Sequence, residues 1–298
     1  MEMDKTQDIS RYPRALRQWI FDNLNFMDDE NERHSISYLI MDHFFGIDRT
    51  GLAMNKSQHF SAGKLDKMKV VIGRLNNHEP IQYILGEADF YGRKFYVDPN
   101  VLIPRAETEV LVDLIVKESH MGQPNILDIG TGSGCIAISL KLELSGASVT
   151  GVDIEEKALQ CAMKNGARYG ADIDWDQVDI LADKLSPLSY DIVVSNPPYV
   201  RESERALMLK NGIDYEPHSA LFVSDRDPLM FYRAIAGKVY DALRDGGKIY
   251  LEINEAFGEE VVNLLKKEGF EKVRVIGDLQ QKDRIVKAIK VDISPGKA

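Results

Sequence analysis

Ile126-Leu127-Asp128-Ile129-Gly130-Thr131-Gly132-Ser133-Gly134 is the stretch that decides how this chain folds. A short apolar run that ends in closely spaced glycines reads as a buried strand turning sharply into a helix, here one opening at Cys135–Leu140. Glycines let the backbone bend and come close to a ligand, and the first N–H groups of the helix then point at it. The dinucleotide-binding fingerprint needs glycine at positions one, three and six. Here the glycines fall at one, three and five, position six is Cys135, and an acid, Asp128, stands two residues before the first glycine. That spacing sets the dinucleotide fingerprint aside.

Downstream, strand and helix signals alternate. The expected strands are Asn125–Ile129, Ser148–Asp153, Asp174–Val178, Tyr190–Ser195, Lys248–Ile253, Glu271–Ile276 and Arg284–Lys290, with helices at Glu155–Tyr169, Pro228–Leu243 and Phe257–Glu268. Such alternation predicts an α/β fold, a mostly parallel sheet covered by helices on both faces. Ligands of such sheets bind beyond the carboxyl ends of the strands. The second strand ends in Gly151-Val152-Asp153, which puts an acid where it accepts both hydroxyls of a ribose. The simpler reading is a glycine turn with Asp153 as a helix cap. The loop and the acid together favour a nucleoside-type cofactor.

Upstream, residues 1–80 read as helical. Leu16, Trp19 or Ile20, and Leu24 share a face, as do Ile36, Leu39, Ile40, His43 and Phe44, and then Leu65, Met68, Ile72 and Leu75, with Ser35, Gly46 and Gly51 as turn and capping residues. Between 81 and 104, Gly86, Gly92, Pro99 and Pro104 punctuate short apolar runs and predict a hairpin or extended linker. The expected organisation is a helical domain over 1–80, a hairpin linker over 81–104 and a catalytic domain over 105–298.

Composition narrows the function. The 298 residues carry 37 basic and 47 acidic side chains, a net charge of −10, and only 12 of the acidic residues lie in the first 80 against 11 basic ones. The acidic excess therefore sits in the catalytic part, where it repels phosphate backbones and disfavours a nucleic-acid substrate. Two cysteines, Cys135 and Cys161, cannot build a disulfide framework or a four-thiolate zinc site, and suit an intracellular chain. Cys135, just behind the glycine loop, is expected to pack rather than to act as a nucleophile. The start Met1-Glu2-Met3-Asp4-Lys5 lacks signal-peptide order, no apolar run approaches a membrane span, and the six histidines show no metal-binding spacing. A cytoplasmic enzyme without a metal is expected.

The sharpest motif is Asn196-Pro197-Pro198-Tyr199, directly after an apolar strand. Two prolines fix φ and remove two N–H donors, so their backbone carbonyls are left to face a cavity. The Asn196 side-chain oxygen and the Pro197 carbonyl can both accept from one NH₂ group, and Tyr199 offers a flat surface to a planar group. An amide or exocyclic amine is a poor nucleophile because its lone pair is delocalised. Two acceptors that hold its hydrogens aim that lone pair at an electrophilic methyl group, chiefly by positioning and electrostatics.

The pattern D-x-G-x-G-x-G resembles the first motif of S-adenosylmethionine-dependent methyltransferases. Phe90-Tyr91-Gly92 and Leu102-Ile103-Pro104-Arg105-Ala106-Glu107-Thr108-Glu109 narrow the resemblance to the HemK/PrmC-type glutamine N5-methyltransferases, which modify peptide chain release factors. Glu79–Gly86, Tyr215-Glu216-Pro217 with Ala220-Leu221, and Asp283-Arg284 are similar to further segments of that family. The resemblance implies a class I methyltransferase fold, with a seven-stranded Rossmann-like sheet whose last strand is antiparallel, preceded by a helical domain that helps recognise the protein substrate.

It further implies that Gly130, Thr131, Gly132, Ser133 and Gly134 cradle the methionine part of S-adenosylmethionine, that Asp153 binds the ribose, and that Asp179 and Ile180 flank the adenine. Asn196, Pro197, Pro198 and Tyr199 would hold the substrate glutamine, with Asn196 also near the cofactor and Thr108 and Glu109 shaping the pocket. Ala106 stands where the family usually has proline, and Ile180 where some relatives carry a larger aromatic. Arg11, Arg14 and Arg17 would line one helix face, either simply solvated or turned to an acidic partner. The implied reaction methylates the glutamine of the Gly-Gly-Gln loop of class I release factors. Its alternatives are glutamine methylation of a ribosomal protein, adenine-N6 methylation of nucleic acid, and a non-catalytic cofactor-binding scaffold.

Overall fold

The computed structural model describes residues 9–25, 29–120, 122–207, 214–278 and 280–291. The Met1–Lys5 start read above lies outside them. Two compact units form, Met1–Gly86 with Lys210–Tyr215, and Glu87–Leu209 with Glu216–Ala298.

The first unit is helical: α1 (Pro13–Asn23), α2 (Glu30–Phe45), α3 (Arg49–Met54), α4 (Ala62–Asn76) and α5 (Ile81–Leu85). Its core gathers Leu16, Ile20, Leu24, Ile40, Met68 and Leu75 among other apolar side chains. The apolar face of α2 is rotated from the expected one. Ile36, Ser37, Ile40 and Met41 are buried, while Leu39 is exposed and His43 faces solvent. The caps differ as well. Ser35 and Gly51 lie inside helices, and the N-terminal caps are Asp29, accepting from Asn31 N at 2.8 Å, and Asp48, accepting from Gly51 N at 2.7 Å. Only Gly46 caps as expected, in the left-handed region.

Arg14 and Arg17 do not form a free row. Arg14 donates from Nε to the Leu52 carbonyl at 3.0 Å, and Arg17 contacts His34 and Ser37 and lies over the Tyr38 ring. Both guanidinium groups tie helices of this unit together.

The stretch 81–104 is not extended throughout. Pro80, with φ fixed near the helical value, opens α5, and Gly86 closes it at φ +72°. The hairpin follows as β1 (Glu87–Phe90) and β2 (Arg93–Tyr96), turned by Tyr91 and Gly92 at φ +49° and +72°. Two successive positive φ values are the mark of the twist-matched two-residue hairpin turn. The hairpin belongs to the second unit.

The second unit continues with α6 (Ala106–Glu118), β3 (Asn125–Ile129), α7 (Cys135–Glu143), β4 (Ser148–Asp153), α8 (Glu156–Tyr169), β5 (Asp174–Gln177) and β6 (Tyr190–Ser195). After a short pair, β7 (Val200–Arg201) with β8 (Phe222–Val223), and a small helix α9 (His218–Leu221) between them, come α10 (Met230–Ala242), β9 (Leu243–Glu252), α11 (Gly258–Lys267), β10 (Phe270–Gly277) and β11 (Asp283–Lys290). Seven strands form one sheet in the order β10-β11-β9-β6-β3-β4-β5. β11 runs antiparallel to both its neighbours, and the other pairs are parallel. This is the class I methyltransferase fold.

The two-residue period of the strands builds two cores. Ile126, Ile192 and Tyr250 face the side packed by α6 and α7, whereas Leu127, Val193, Ile249 and Leu251 face the side packed by α10 and α11. β3 and β6 are buried on both faces, which is why apolar side chains dominate both strands. From β3 the chain moves outward to β4 and β5, then crosses back to β6 on the other side of β3. That reversal opens a crevice at the carboxyl ends of β3, β4 and β6.

Candidate active site

A cavity of about 280 Å³ fills that crevice. The ends of three strands supply it: Gly130–Ser133 after β3, Asp153 closing β4, and Asn196–Pro198 after β6. Asp179 and Ile180 line it from the segment after β5, and Thr108 of α6 from above.

The glycine loop takes the conformations its sequence demands. Gly130, Gly132 and Gly134 have φ of +72°, +54° and +78°, all in the left-handed region. Loop N–H groups of Gly130 and Thr131 reach the Val152 carbonyl at 2.9 and 3.0 Å. A side chain on Gly132 would meet nothing within 4 Å, so this glycine borders open space. Gly134 serves differently: a Cβ there would lie 3.0 Å from Trp175 and 3.1 Å from Ala162. It lets α7 pack closely and does not line the cavity.

Asp153 accepts from Gly132 N at 2.9 Å and from Glu155 N at 3.0 Å. Burial raises its carboxyl above the ordinary value, and these two N–H groups oppose the rise. Its simpler reading as a helix cap falls away, because Glu155 occupies the cap of α8. Asp179 accepts from Leu181 N at 2.8 Å, and the Ile180 carbonyl is held by Lys238 at 2.6 Å. A glycine-rich turn, a carboxylate with further lone pairs and an apolar wall at Ile180 make a donor set that fits S-adenosylmethionine.

Asn196 donates from Nδ2 to Thr108 Oγ1 at 3.3 Å. The Asn196 carbonyl runs beside Gly130, 4.0 Å from where a Cβ would stand, so glycine loop and tetrapeptide share one wall. Tyr199 departs from expectation. Its side chain joins the core under α10, and its hydroxyl donates to Glu252 Oε1 at 3.0 Å instead of facing the cavity. Glu109 also lies off the cavity, accepting from Tyr91 N at 2.9 Å and so holding the hairpin turn. Cys135 borders the cavity as a buried thiol that burial pushes up to about 12, which suits packing and not nucleophilic attack.

Sequence reasoning assigned no role to three residues. Glu252, at the end of β9, is 1% exposed and accepts from Thr108 Oγ1 at 2.7 Å as well as from Tyr199. Asn165, fully buried in α8, donates to the Ser133 carbonyl at 2.8 Å and to the Tyr96 carbonyl at 2.9 Å, clamping the loop to the hairpin. Glu216, 5% exposed, accepts from Arg105 at 2.5 Å and from Ile103 N at 3.2 Å. Glu216 was noted only as part of a resemblance. Glu252 is a lone acid ending an apolar strand, and Asn165 sits between Lys164 and Gly166 in an amphipathic helix, so no local pattern marks either.

Comparison with known proteins agrees with this geometry. Residues 106–215 match the methyltransferase small domain family, and residues 15–86 the PrmC N-terminal domain family. The release factor glutamine methyltransferase of Bacteroides thetaiotaomicron is 48% identical over 86% of this chain and 92% of that one. Its namesake from Flavobacterium psychrophilum is 43% identical over 87% and 92%. A crystal structure of a methyltransferase from Pyrococcus furiosus superposes with a TM-score of 0.50 at 16% identity, covering 78% of this chain and all of that one, which speaks to the fold alone. On sequence, fold and site geometry together, the chain belongs to the HemK/PrmC family of S-adenosylmethionine-dependent release factor glutamine methyltransferases.

Proposed function

We propose that this chain methylates the side-chain nitrogen N5 of the glutamine in the Gly-Gly-Gln loop of class I peptide chain release factors. The observation that carries the reading is the convergence on one cavity of the glycine loop, Asp153 and Asn196-Pro197-Pro198. S-adenosylmethionine, when bound, supplies an electrophilic methyl group on a sulfonium. Gly130–Gly132 offer a close-approach backbone to its methionine part, Asp153 accepts from the ribose hydroxyls, and Asp179 and Ile180 border the adenine.

The Asn196 Oδ1 and the Pro197 carbonyl each accept one hydrogen of the glutamine NH₂, which orients the nitrogen lone pair along the line of transfer. As the N–C bond forms and the S–C bond breaks, positive charge moves onto the nitrogen, where these two oxygen dipoles stabilise it. The sulfur departs as the neutral thioether of S-adenosylhomocysteine, and the nitrogen gives up one proton to solvent water. The cavity lining presents no histidine, and none is needed for a transfer driven by orientation.

The lining carries three carboxylates, Asp153, Glu155 and Asp179, against the single guanidinium of Arg105. That balance suits a cationic cofactor and opposes a phosphodiester substrate. The helical residues 1–80 serve in this reading as the recognition element for the protein substrate. No helix among the described residues is long and apolar enough to cross a membrane. A release factor as substrate supports a cytoplasmic place of action.

The test offers methyl-labelled S-adenosylmethionine with a release factor, a ribosomal protein mixture and DNA in separate reactions. Label on the release factor, abolished when its loop glutamine is replaced by alanine, is the expected result. Label on a ribosomal protein or on DNA instead would overturn the substrate, and no label at all would overturn the enzyme.

A further inference from the structure

A single buried carboxylate holds both ends of the Asn196–Tyr199 turn. Glu252 takes the Thr108 hydroxyl on Oε2 at 2.7 Å and the Tyr199 hydroxyl on Oε1 at 3.0 Å, and Thr108 in turn receives Asn196 Nδ2 at 3.3 Å. Thr108 is 3% exposed, so no bulk water competes for these bonds. The strand order makes the arrangement possible: β9 lies beside β6, with Leu251 paired to Ser195, so Glu252 and Asn196 leave the sheet side by side. The Glu252 backbone carbonyl accepts from Tyr232 at 3.2 Å, which fixes the strand end from beneath.

Proton accounting gives this chain a direction. In its ionised form Glu252 only accepts, so both hydroxyls donate into it. Thr108 has one proton, and it is committed to Glu252. Its remaining lone pairs can only accept, and the neighbour that fills them must present N–H. Asn196 therefore turns its Nδ2 toward Thr108, and its Oδ1, which no donor among the described residues engages, becomes the group offered to a substrate. Rotating the amide by half a turn would set an NH₂ against the substrate's NH₂, donor against donor, and would set Oδ1 against a hydroxyl oxygen with no proton to give.

We propose that Glu252 and Thr108 are positioning residues that lock Asn196 with its oxygen toward the substrate amide, and so set the chemical class the site accepts: a nitrogen that still carries two hydrogens. A substrate presenting an acceptor at that point, such as a carboxylate or an ester oxygen, meets the Asn196 oxygen and is refused. The proposal rests on the assignment of Asn196 as a substrate acceptor. Burial raises the Glu252 carboxyl above its ordinary value and Glu107 adds to the rise, while the Thr108 and Tyr199 hydroxyls and the Arg284 charge favour the ionised form.

The experiment compares Thr108→Val, Thr108→Ser and Asn196→Ala in the full-length protein, measuring kcat and KM for the protein substrate, S-adenosylmethionine affinity and thermal midpoint. Thr108→Val keeps the shape and deletes the relay; kcat is expected to fall about 10²-fold, the scale of losing one oriented hydrogen-bonding group at a reacting centre, with cofactor affinity unchanged. Thr108→Ser, which keeps the hydroxyl, is expected within a few-fold of wild type. The double variant Thr108→Val/Asn196→Ala is expected no slower than Asn196→Ala alone, because the relay acts only through Asn196.

A Thr108→Val enzyme with wild-type kcat overturns the relay while leaving the methyltransferase reading intact, since wild-type protein still labels its substrate. Independent, multiplying losses in the double variant overturn it too, by showing that Thr108 acts elsewhere. If Thr108→Val loses its fold, Glu252→Gln replaces it. With one acceptor and one donor in place of two acceptors, that variant cannot hold both hydroxyl donors, and a drop in kcat at constant thermal midpoint is expected; unchanged kcat there also overturns the proposal.

Discussion

The backbone N–H of Gly132 donates to Asp153 Oδ2 at 2.9 Å. One bond thus joins the loop after β3 to the end of β4, so the two parts of the cofactor site are built as a unit. Moving the carboxylate moves the loop.

Replacing Asp153 with alanine accordingly removes more than a ribose contact. The Gly132 and Glu155 N–H groups both lose their acceptor. A hydrogen bond to a charged group contributes about 1.5–3 kcal/mol, so S-adenosylmethionine affinity should weaken roughly 10- to 100-fold. Titration calorimetry measures this directly, and wild-type affinity in the variant would count against the ribose assignment.

Asn196→Ala should separate chemistry from folding. The side chain makes one bond in the protein, to Thr108 at 3.3 Å, so its loss costs little stability. Losing one of two acceptors at the reacting nitrogen should slow transfer by about 10²- to 10³-fold. Near-normal turnover with an unaltered thermal midpoint would remove Asn196 from the mechanism.

Asp128 is fully buried, accepts from Thr131 Oγ1 at 2.7 Å and from Ala137 N at 3.2 Å, and has no partner for Oδ1 among the described residues. Burial pushes its carboxyl up to about 7. Because the folded value lies above the unfolded one, the native state holds the extra proton between pH ~4 and ~7. Its contribution to stability is full below that window and is lost as pH rises through it, by on the order of 4 kcal/mol at most. Asp128→Asn imitates the protonated form, so its urea midpoint should change less than that of wild type between pH 5 and pH 8. Parallel curves for the two proteins would place the pH dependence elsewhere.

Two glycines offer an opposed pair of tests. Gly151 is itself buried, and a Cβ on it would sit 2.5 Å from the Trp175 ring and 3.0 Å from Thr131 Oγ1. Gly151→Ala should therefore destabilise by about 1–3 kcal/mol or more and disturb the loop through Thr131. Gly73, exposed within α4, has nothing within 4 Å of its would-be Cβ. Gly73→Ala should stabilise by about 0.5–1 kcal/mol, because alanine loses less backbone entropy in a helix. Chemical denaturation of both variants checks the signs.

Much of the fold and site was readable from local patterns. β3, β4 and β6 were bounded to the residue by apolar runs that stop at glycine, at Asp153 and at Asn196. The glycine loop, Asp153 and the tetrapeptide each carry their chemistry within a few consecutive residues, so their spacing alone announces a strand-end site. The helical first domain was readable from apolar spacing such as Leu65, Met68, Ile72 and Leu75, whereas the antiparallel last strand came from resemblance. Periodicity misjudged α2, because a face that includes Ser37 and excludes Leu39 depends on which neighbouring helix covers it.

What the sequence by itself determined is the set of elements and the chemical groups at their ends, since backbone propensity, glycine φ and proline geometry are local. What only the tertiary structure decided is which of those groups meet. Glu252 is an unremarked acid ending an apolar strand until β9 falls next to β6, and Tyr199 reads as a substrate platform until the sheet turns its ring into the core. Strand order and facing are set by long-range burial, in which residues 144 positions apart, Thr108 and Glu252, come to share a proton-directed bond. No short window of sequence carries that information, because the free energy that selects it is distributed over the whole sheet.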